Sequence, residues 1–219
     1  FLKLQEQQLG MRVESVLTAR ITLGQQHYAT RERQMEFFHE LKRRLQYGPG
    51  VRSLAMSDSL PPGGYHHDQI YASIAANGRS LAVGGTGGNV AWRWVSPDYF
   101  KTLDIPILHG ESFNEAELTS NDHFIILSRL LAVRIYPRQN PIGQRLQLAF
   151  PGTDDPWYTV VGVAADVKNG GLAGGEEPEY YRLRRDRTED WNGTAAILLM
   201  SSLSPASMSQ WVRLQVKVL

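Results

Sequence analysis

Apolar and polar positions alternate near the start of the chain. Leu17, Ala19, Ile21 and Leu23 fall on one face of an extended segment and Thr18, Arg20 and Thr22 on the other, so a strand is expected over 16–23. The period then lengthens. Met35, Phe38, Leu41 and Leu45 recur at helical spacing among charged residues, which predicts a helix running from an N-cap at Thr30 to about Gln46. Gly48-Pro49-Gly50 ends it, because glycine enters the left-handed region and proline cannot continue the ladder. A strand over 51–57 follows. Strand, helix and strand in succession make a βαβ or split-βαβ unit.

Leu60-Pro61-Pro62-Gly63-Gly64 breaks this pattern, and the chain becomes richer in turns and short strands to about Pro178. Strands are expected over 69–75, 90–95, 124–127, 143–150 and 158–167. Ser96-Pro97-Asp98 reads as a helix start with Pro97 first in the helix, and Ser128 opens a second helix that Pro137 ends. Residues 170–177 form a Gly-rich loop. The last forty or so residues return to the opening pattern of strand and helix. Strands are expected over 180–183 and 195–200, and then a helix from Ser204-Pro205 carrying Met208, Trp211, Val212 and Gln215 on much of one face. The expected fold is α+β. A split-βαβ subdomain built from residues 1–60 and 179–219 carries an inserted, mainly β subdomain of residues 61–178.

Composition narrows the classes. The 219 residues hold 23 Lys+Arg and 22 Asp+Glu, a net charge of +1, which argues against a nucleic-acid partner with its usual basic face. There is no cysteine, so disulfides, thiolate metal sites and thiol catalysis are excluded. No apolar run approaches the ~20 residues of a membrane-spanning helix. The chain opens on Phe1 and closes on Leu219 within an apolar-periodic stretch. That pattern reads as a piece of a longer protein, whose membrane segments would lie outside it.

Candidate chemistry is sparse. His66-His67-Asp68 is the densest metal-capable group, but adjacent residues on an extended chain point to opposite faces, so a solvated loop is expected. His27, His39, His109 and His123 have no spacing that pairs them. Gly84-Gly85-Thr86-Gly87-Gly88-Asn89 resembles a phosphate cradle, yet it precedes a strand and lacks lysine, which favours a hairpin loop. Asp154-Asp155 reads as an exposed turn, and Asn192-Gly193-Thr194 as a turn that also fits the glycosylation pattern. Trp92 and Trp94 share one strand face, read as core ahead of a binding platform. The run Arg182, Arg184, Arg185 and Arg187 has acidic neighbours and reads as a solvated loop. No catalytic, cofactor-binding or metal-binding residue is assigned, and the partner-binding surface stays unknown.

Three segments resemble a known family. They are Val16-Leu17-Thr18-Ala19-Arg20-Ile21 with the Phe37-Phe38 helix and Pro49-Gly50-Val51; the segment Val95-Ser96-Pro97-Asp98-Tyr99-Phe100-Lys101-Thr102-Leu103-Asp104-Ile105-Pro106-Ile107-Leu108-His109-Gly110-Glu111-Ser112-Phe113; and Ile125-Ile126-Leu127-Ser128 with Ala132, Tyr136-Pro137 and Asn140-Pro141-Ile142-Gly143-Gln144-Arg145-Leu146, followed by Val160-Val161-Gly162-Val163-Ala164-Ala165-Asp166-Val167. In family order these are similar to MacB-like periplasmic core domains of FtsX/MacB-type ABC transporter permeases, and within them to the large duplicated permeases of acidobacteria. Asp104 stands where the family usually has Gly, and Glu111 where it has Arg.

The resemblance implies a porter-like subdomain with a sabre-like insertion, facing the periplasm from the bacterial inner membrane. It implies a non-enzymatic role without cofactors, coupling cytoplasmic ATP hydrolysis to periplasmic movement for export or mechanotransmission. Implied partners are a second permease protomer or permease half, an ATP-binding subunit, and a periplasmic adaptor or lipoprotein. The alternative from the residues alone is a stand-alone ligand-binding or metal-dependent hydrolytic domain.

Overall fold

A computed structural model describes residues 9–12, 16–59, 67–71, 73–76, 79–82, 88–149, 156–168 and 177–219. The first strand, β1 (Val16–Thr22), leads to α1 (Arg31–Gln46) and β2 (Val51–Ser57). Thr30 caps α1 as expected, its hydroxyl accepting from the Arg33 amide. The middle of the chain forms β3 (His67–Tyr71), β4 (Ser73–Ala76), β5 (Arg79–Ala82), β6 (Gly88–Val95), α2 (Tyr99–Leu103), β7 (Ile107–Gly110), β8 (Phe124–Ser128), α3 (Arg129–Ile135), β9 (Arg145–Ala149) and β10 (Tyr158–Ala164). Then come β11 (Glu179–Leu183), β12 (Thr194–Ser201) and α4 (Pro205–Lys217). Single-turn 3₁₀ helices occupy Glu115–Thr119 and Thr188–Asp190.

The described strands join one mixed sheet in the order β1-β12-β2-β6-β11-β8-β10-β9-β4-β5, with β3 on β6 and β7 on β10. β12 lies antiparallel between β1 and β2. Those two strands therefore run parallel around α1 with a strand between them, which is a split-βαβ arrangement. The pairs β6–β11 and β8–β10 are parallel. Helices and strands are interleaved along the chain, and the fold class is α+β.

The apolar character of β12 follows from burial on both faces. Ala195, Ile197 and Leu199 pack under α1 and α4 with Phe37, Phe38, Leu41, Leu45, Met208 and Val212. Leu198 faces the other way, onto α2, with Ala55, Val95, Tyr99, Phe100 and Leu103. A third cluster gathers around α3, where Leu131 and Ile135 meet Ile125, Leu127, Val160 and Tyr180. Each fully buried large side chain, such as Phe38 or Leu41, contributes about 1.5–3 kcal/mol.

Several boundaries differ from expectation. The strand expected over 69–75 is two strands, β3 and β4, and β10 stops at Ala164. Pro97 lies ahead of α2, not at its first position. The Tyr99 amide closes a turn onto the Ser96 carbonyl, and the helix begins only at Tyr99. Asp104 ends that helix in the left-handed conformation at φ 54°. That geometry favours glycine, and it accounts for the family's usual residue there. The carboxylate of Asp104 takes a 2.6 Å ion pair from Arg12.

β7 and β10 meet glycine to glycine, Gly110 against Gly162, beside an irregularity in the β10–β8 register. A Cβ on Gly162 would sit 2.3 Å from the Glu111 carbonyl oxygen, a backbone atom that cannot step aside. Gly162→Ala is therefore expected to destabilise by about 1–3 kcal/mol. Because the Glu111 amide bonds Val161 O across the same strands, its hydrogen exchange should quicken ahead of the rest of the sheet. Unchanged exchange would mean the strands close around a methyl group.

Candidate functional site

The centre of the sheet is polar. β6 presents Trp92 and Trp94 to one side and Arg93 to the other, and Arg93 is the more deeply buried, at 1% exposure. Its Nε lies 2.5 Å from Glu179 Oε1 on the neighbouring parallel strand, and its Nη1 donates to the Ser59 hydroxyl at 3.2 Å. Tyr181 donates to Glu179 Oε2 at 2.8 Å, and the Glu179 amide donates to Ser128 Oγ at 3.0 Å. Burial and the adjacent carboxylate hold the Tyr181 phenol well above its ordinary range. Burial likewise raises Tyr99, although the nearby Arg93 opposes the shift. The cluster is a fixed ion pair with Ser59 and Tyr181 as hydroxyl partners, while the buried Tyr99 hydroxyl beside it makes no hydrogen bond among the described residues.

The arginine run corrects the expectation of a solvated loop. Arg182, Arg184 and Arg185 are 9%, 3% and 6% exposed. Guanidinium planes tolerate burial when aromatic rings cover their faces and carbonyls accept at their edges. Arg184 lies 4.6 Å over Trp191, and it donates to the Asp190 carbonyl, the Asn192 side chain and the Thr194 carbonyl. Arg185 pairs with Asp190 at 3.1 Å, and its carbonyl accepts from the Trp191 indole. Arg182 lies over Trp92, Trp94, Tyr158 and Tyr180 at 4.7–5.7 Å. The two tryptophans are half-buried, form an edge contact at 5.9 Å, and face an arginine of their own chain.

A cleft of about 450 Å³ separates α1 from the segments that follow β7 and β11. His39, Lys42 and Gln46 line the α1 wall, with Glu115, Leu118, Asp186 and Trp191 opposite. Two side-chain contacts cross it, His39 Nε2 to Asp186 Oδ1 at 2.9 Å and the ion pair of Lys42 Nζ with Glu115 Oε1 at 3.0 Å. Half-exposed pairs of this kind contribute at most about 1 kcal/mol each, so they register the two walls without locking them. Sequence spacing left His39 unpaired, because its partner is distant in the chain.

Along α1, Glu40 accepts from Arg43 and Arg44 at 2.6–2.7 Å. Those bonds lower its pKa from 4.5 to about 2. A carboxylate depressed by folding lends stability above its unfolded pKa and loses it as pH falls through the folded one. The last turn of α1 should therefore loosen between about pH 4.5 and pH 2. An NMR titration of Glu40 should give a midpoint near 2, and an ordinary midpoint would show the bonds are not held in solution.

The other candidates disperse. His66 lies outside the described residues, while His67 and Asp68 pair with Trp92 and Ala91 in the β3–β6 ladder. No group of three or more metal-capable side chains converges among the described residues. Residues 84–87 and Asp154-Asp155 lie outside the described residues. Gly88 and Asn89 belong to β6, which pairs with β3, β2 and β11, whereas β5 pairs with β4. The glycine stretch thus links two strands that are not neighbours among the described residues, which corrects the hairpin expectation. Asn192-Gly193-Thr194 is a turn, with Gly193 at φ 69° and the Asn192 side chain accepting from Arg184 and the Thr194 amide. No helix among the described residues is long and apolar enough to cross a membrane.

The arrangement holds fixed ion pairs and a two-walled cleft, and known proteins share its fold. The family model for the MacB-like periplasmic core domain matches residues 49–210. Among curated proteins, none matches. The periplasmic region of MacB from Actinobacillus actinomycetemcomitans is 12% identical with a TM-score of 0.58, over 99% of this chain and 88% of that one. The extracellular domain of the noncanonic ABC-type transporter YknZ from Gram-positive bacteria is 10% identical with a TM-score of 0.52, over 89% and 87%. Likeness at such identity speaks for the fold, and the family model for the kinship. This chain belongs to the MacB-like periplasmic core domain family.

Proposed function

We propose that the chain is the extracytoplasmic, non-catalytic domain of an ABC transporter permease subunit in the bacterial inner membrane. It couples cytoplasmic ATP hydrolysis to periplasmic movement, for export or mechanotransmission. The observation that carries this reading is the family match over residues 49–210, supported by the fold shared with the periplasmic region of MacB over 99% of the chain. Its partners are a second permease protomer or half, the ATP-binding subunit, and a periplasmic adaptor or lipoprotein.

The porter-like subdomain of residues 1–60 and 179–219 and the inserted sabre-like subdomain of residues 61–178 are the parts that move against each other. One packing cluster supports this division: it draws only on residues between Leu17 and Met56 and between Trp191 and Leu219. The cleft lies where that layer meets Glu115 and Leu118 of the insertion, and a change in its width is the motion that fits the lever.

The test uses the parent permease. The chain has no cysteine, so a single cysteine placed at exposed Asp122 provides one thiol in a parent stripped of any others. A membrane-impermeant maleimide should label it in cells whose outer barrier alone is opened. Labelling only after lysis of the inner membrane would end the periplasmic reading.

A further inference from the structure

The aromatic face of β6 and β11 carries a charge that no carboxylate among the described residues bonds. Arg182 is nine-tenths buried, and its Nη2 donates to the neutral Tyr180 hydroxyl at 3.2 Å. Aromatic rings cover its flat faces, so its remaining N–H bonds point out along the guanidinium plane. Among the described residues its Nε is buried without a hydrogen-bond acceptor, and so is Nη1 of Arg185. Both side chains line one small recess, together with Trp94, His123, Phe124 and Tyr158.

Charge decides what such a recess takes. Arg182, Arg185 and Arg187 surround His123 with Asp190 as the opposing carboxylate, and Asp190 is engaged by Arg185. Among the described residues no carboxylate bonds Arg182. A buried guanidinium left this way is costly, and cation–π contacts offset only part of that cost. Burial, then Arg185 and Arg187, hold the His123 imidazole below its ordinary pKa, as a local excess of positive charge requires. With about 10 Å³ of free volume, the recess has room for one small occupant, which favours a monatomic ion over phosphate or a carboxylic acid.

We propose that the recess binds a single halide ion, chloride under physiological conditions, on Nε–H of Arg182 and Nη1–H of Arg185. The ion neutralises the buried arginine and ties β11 to the segment that follows it, beside β8 and β10. Because it binds the folded chain alone, it stabilises that chain by mass action.

Bromide replaces chloride in the test. Crystals of the 219-residue chain soaked in sodium bromide should give an anomalous peak within hydrogen-bond distance of both arginines. In solution, the melting temperature should rise with sodium chloride relative to sodium gluconate at equal ionic strength. The His123 pKa should rise with chloride in the same titration. Arg182→Met and, should that variant fail to fold, Arg185→Gln should lose the chloride-specific increment. No anomalous peak, with identical melting in chloride and gluconate, would overturn the proposal and leave a water in the recess. A chloride increment that persists in Arg185→Gln, with no bromide at Arg182, would also overturn it. None of these readouts depends on the permease reading.

Discussion

Glu179→Leu is expected to lower the unfolding free energy by about 3–5 kcal/mol, a large share of what a domain possesses. The reason is the residue left behind. Arg93 has 1% of its surface exposed and cannot be deprotonated, so removing its carboxylate strands a full charge between β6 and β11. Ser59 alone does not compensate it, and the Tyr181 hydroxyl loses its acceptor as well. Urea melts of the single variants and of Arg93→Met/Glu179→Leu form a double-mutant cycle. The double variant should recover most of the loss, because an apolar pair of similar volume carries no desolvation cost. Additive losses would show that the two side chains act independently, contrary to the 2.5 Å contact between them.

Trp191→Ala should cost about 3–5 kcal/mol, through a different mechanism. Trp191 is 3% exposed and joins three structures at once. Its ring stacks on Phe38 of α1 at 5.4 Å, lies under the Arg184 guanidinium, and donates its N–H to the Arg185 carbonyl. Truncation removes apolar packing on α1 and uncovers a buried cation in the same step. Trp191→Phe keeps the ring and forfeits the hydrogen bond, and should cost about 1 kcal/mol. Equal losses in the two variants would mean that the indole N–H, and not the ring, holds the loop.

The first half of the chain shows what the sequence discloses. The β2 boundaries and the end of α1 were legible because apolar periodicity and capping residues agreed there, with Thr30 before α1 and Gly48-Pro49-Gly50 after it. β5 and β7 were not. Arg79–Ala82 and Ile107–Gly110 are four residues each, too short to show a period, and only their neighbours make them strands. The family kinship was legible through ordered motifs. The arginines of β11 and the following turn were illegible for a physical reason. A run of basic residues is normally solvated, and its burial here depends on Trp92, Trp94 and Trp191, whose approach no local spacing encodes. His39 meeting Asp186 across the cleft was hidden in the same way.

The pairing of β1 with β12 sets Val16 against Met200, and six further residue pairs run beside it. Bringing such distant segments together from an open chain carries a loop-closure entropy that grows with the intervening length. That penalty falls if the middle of the chain has already collapsed around α3 and β8. Loop-closure entropy therefore favours a sequence of events in which residues around α3 and β8 condense before β12 meets β1 and β2. A substitution that loosens the cluster around Leu131 and Ile135 is then expected to slow the joining of both chain ends.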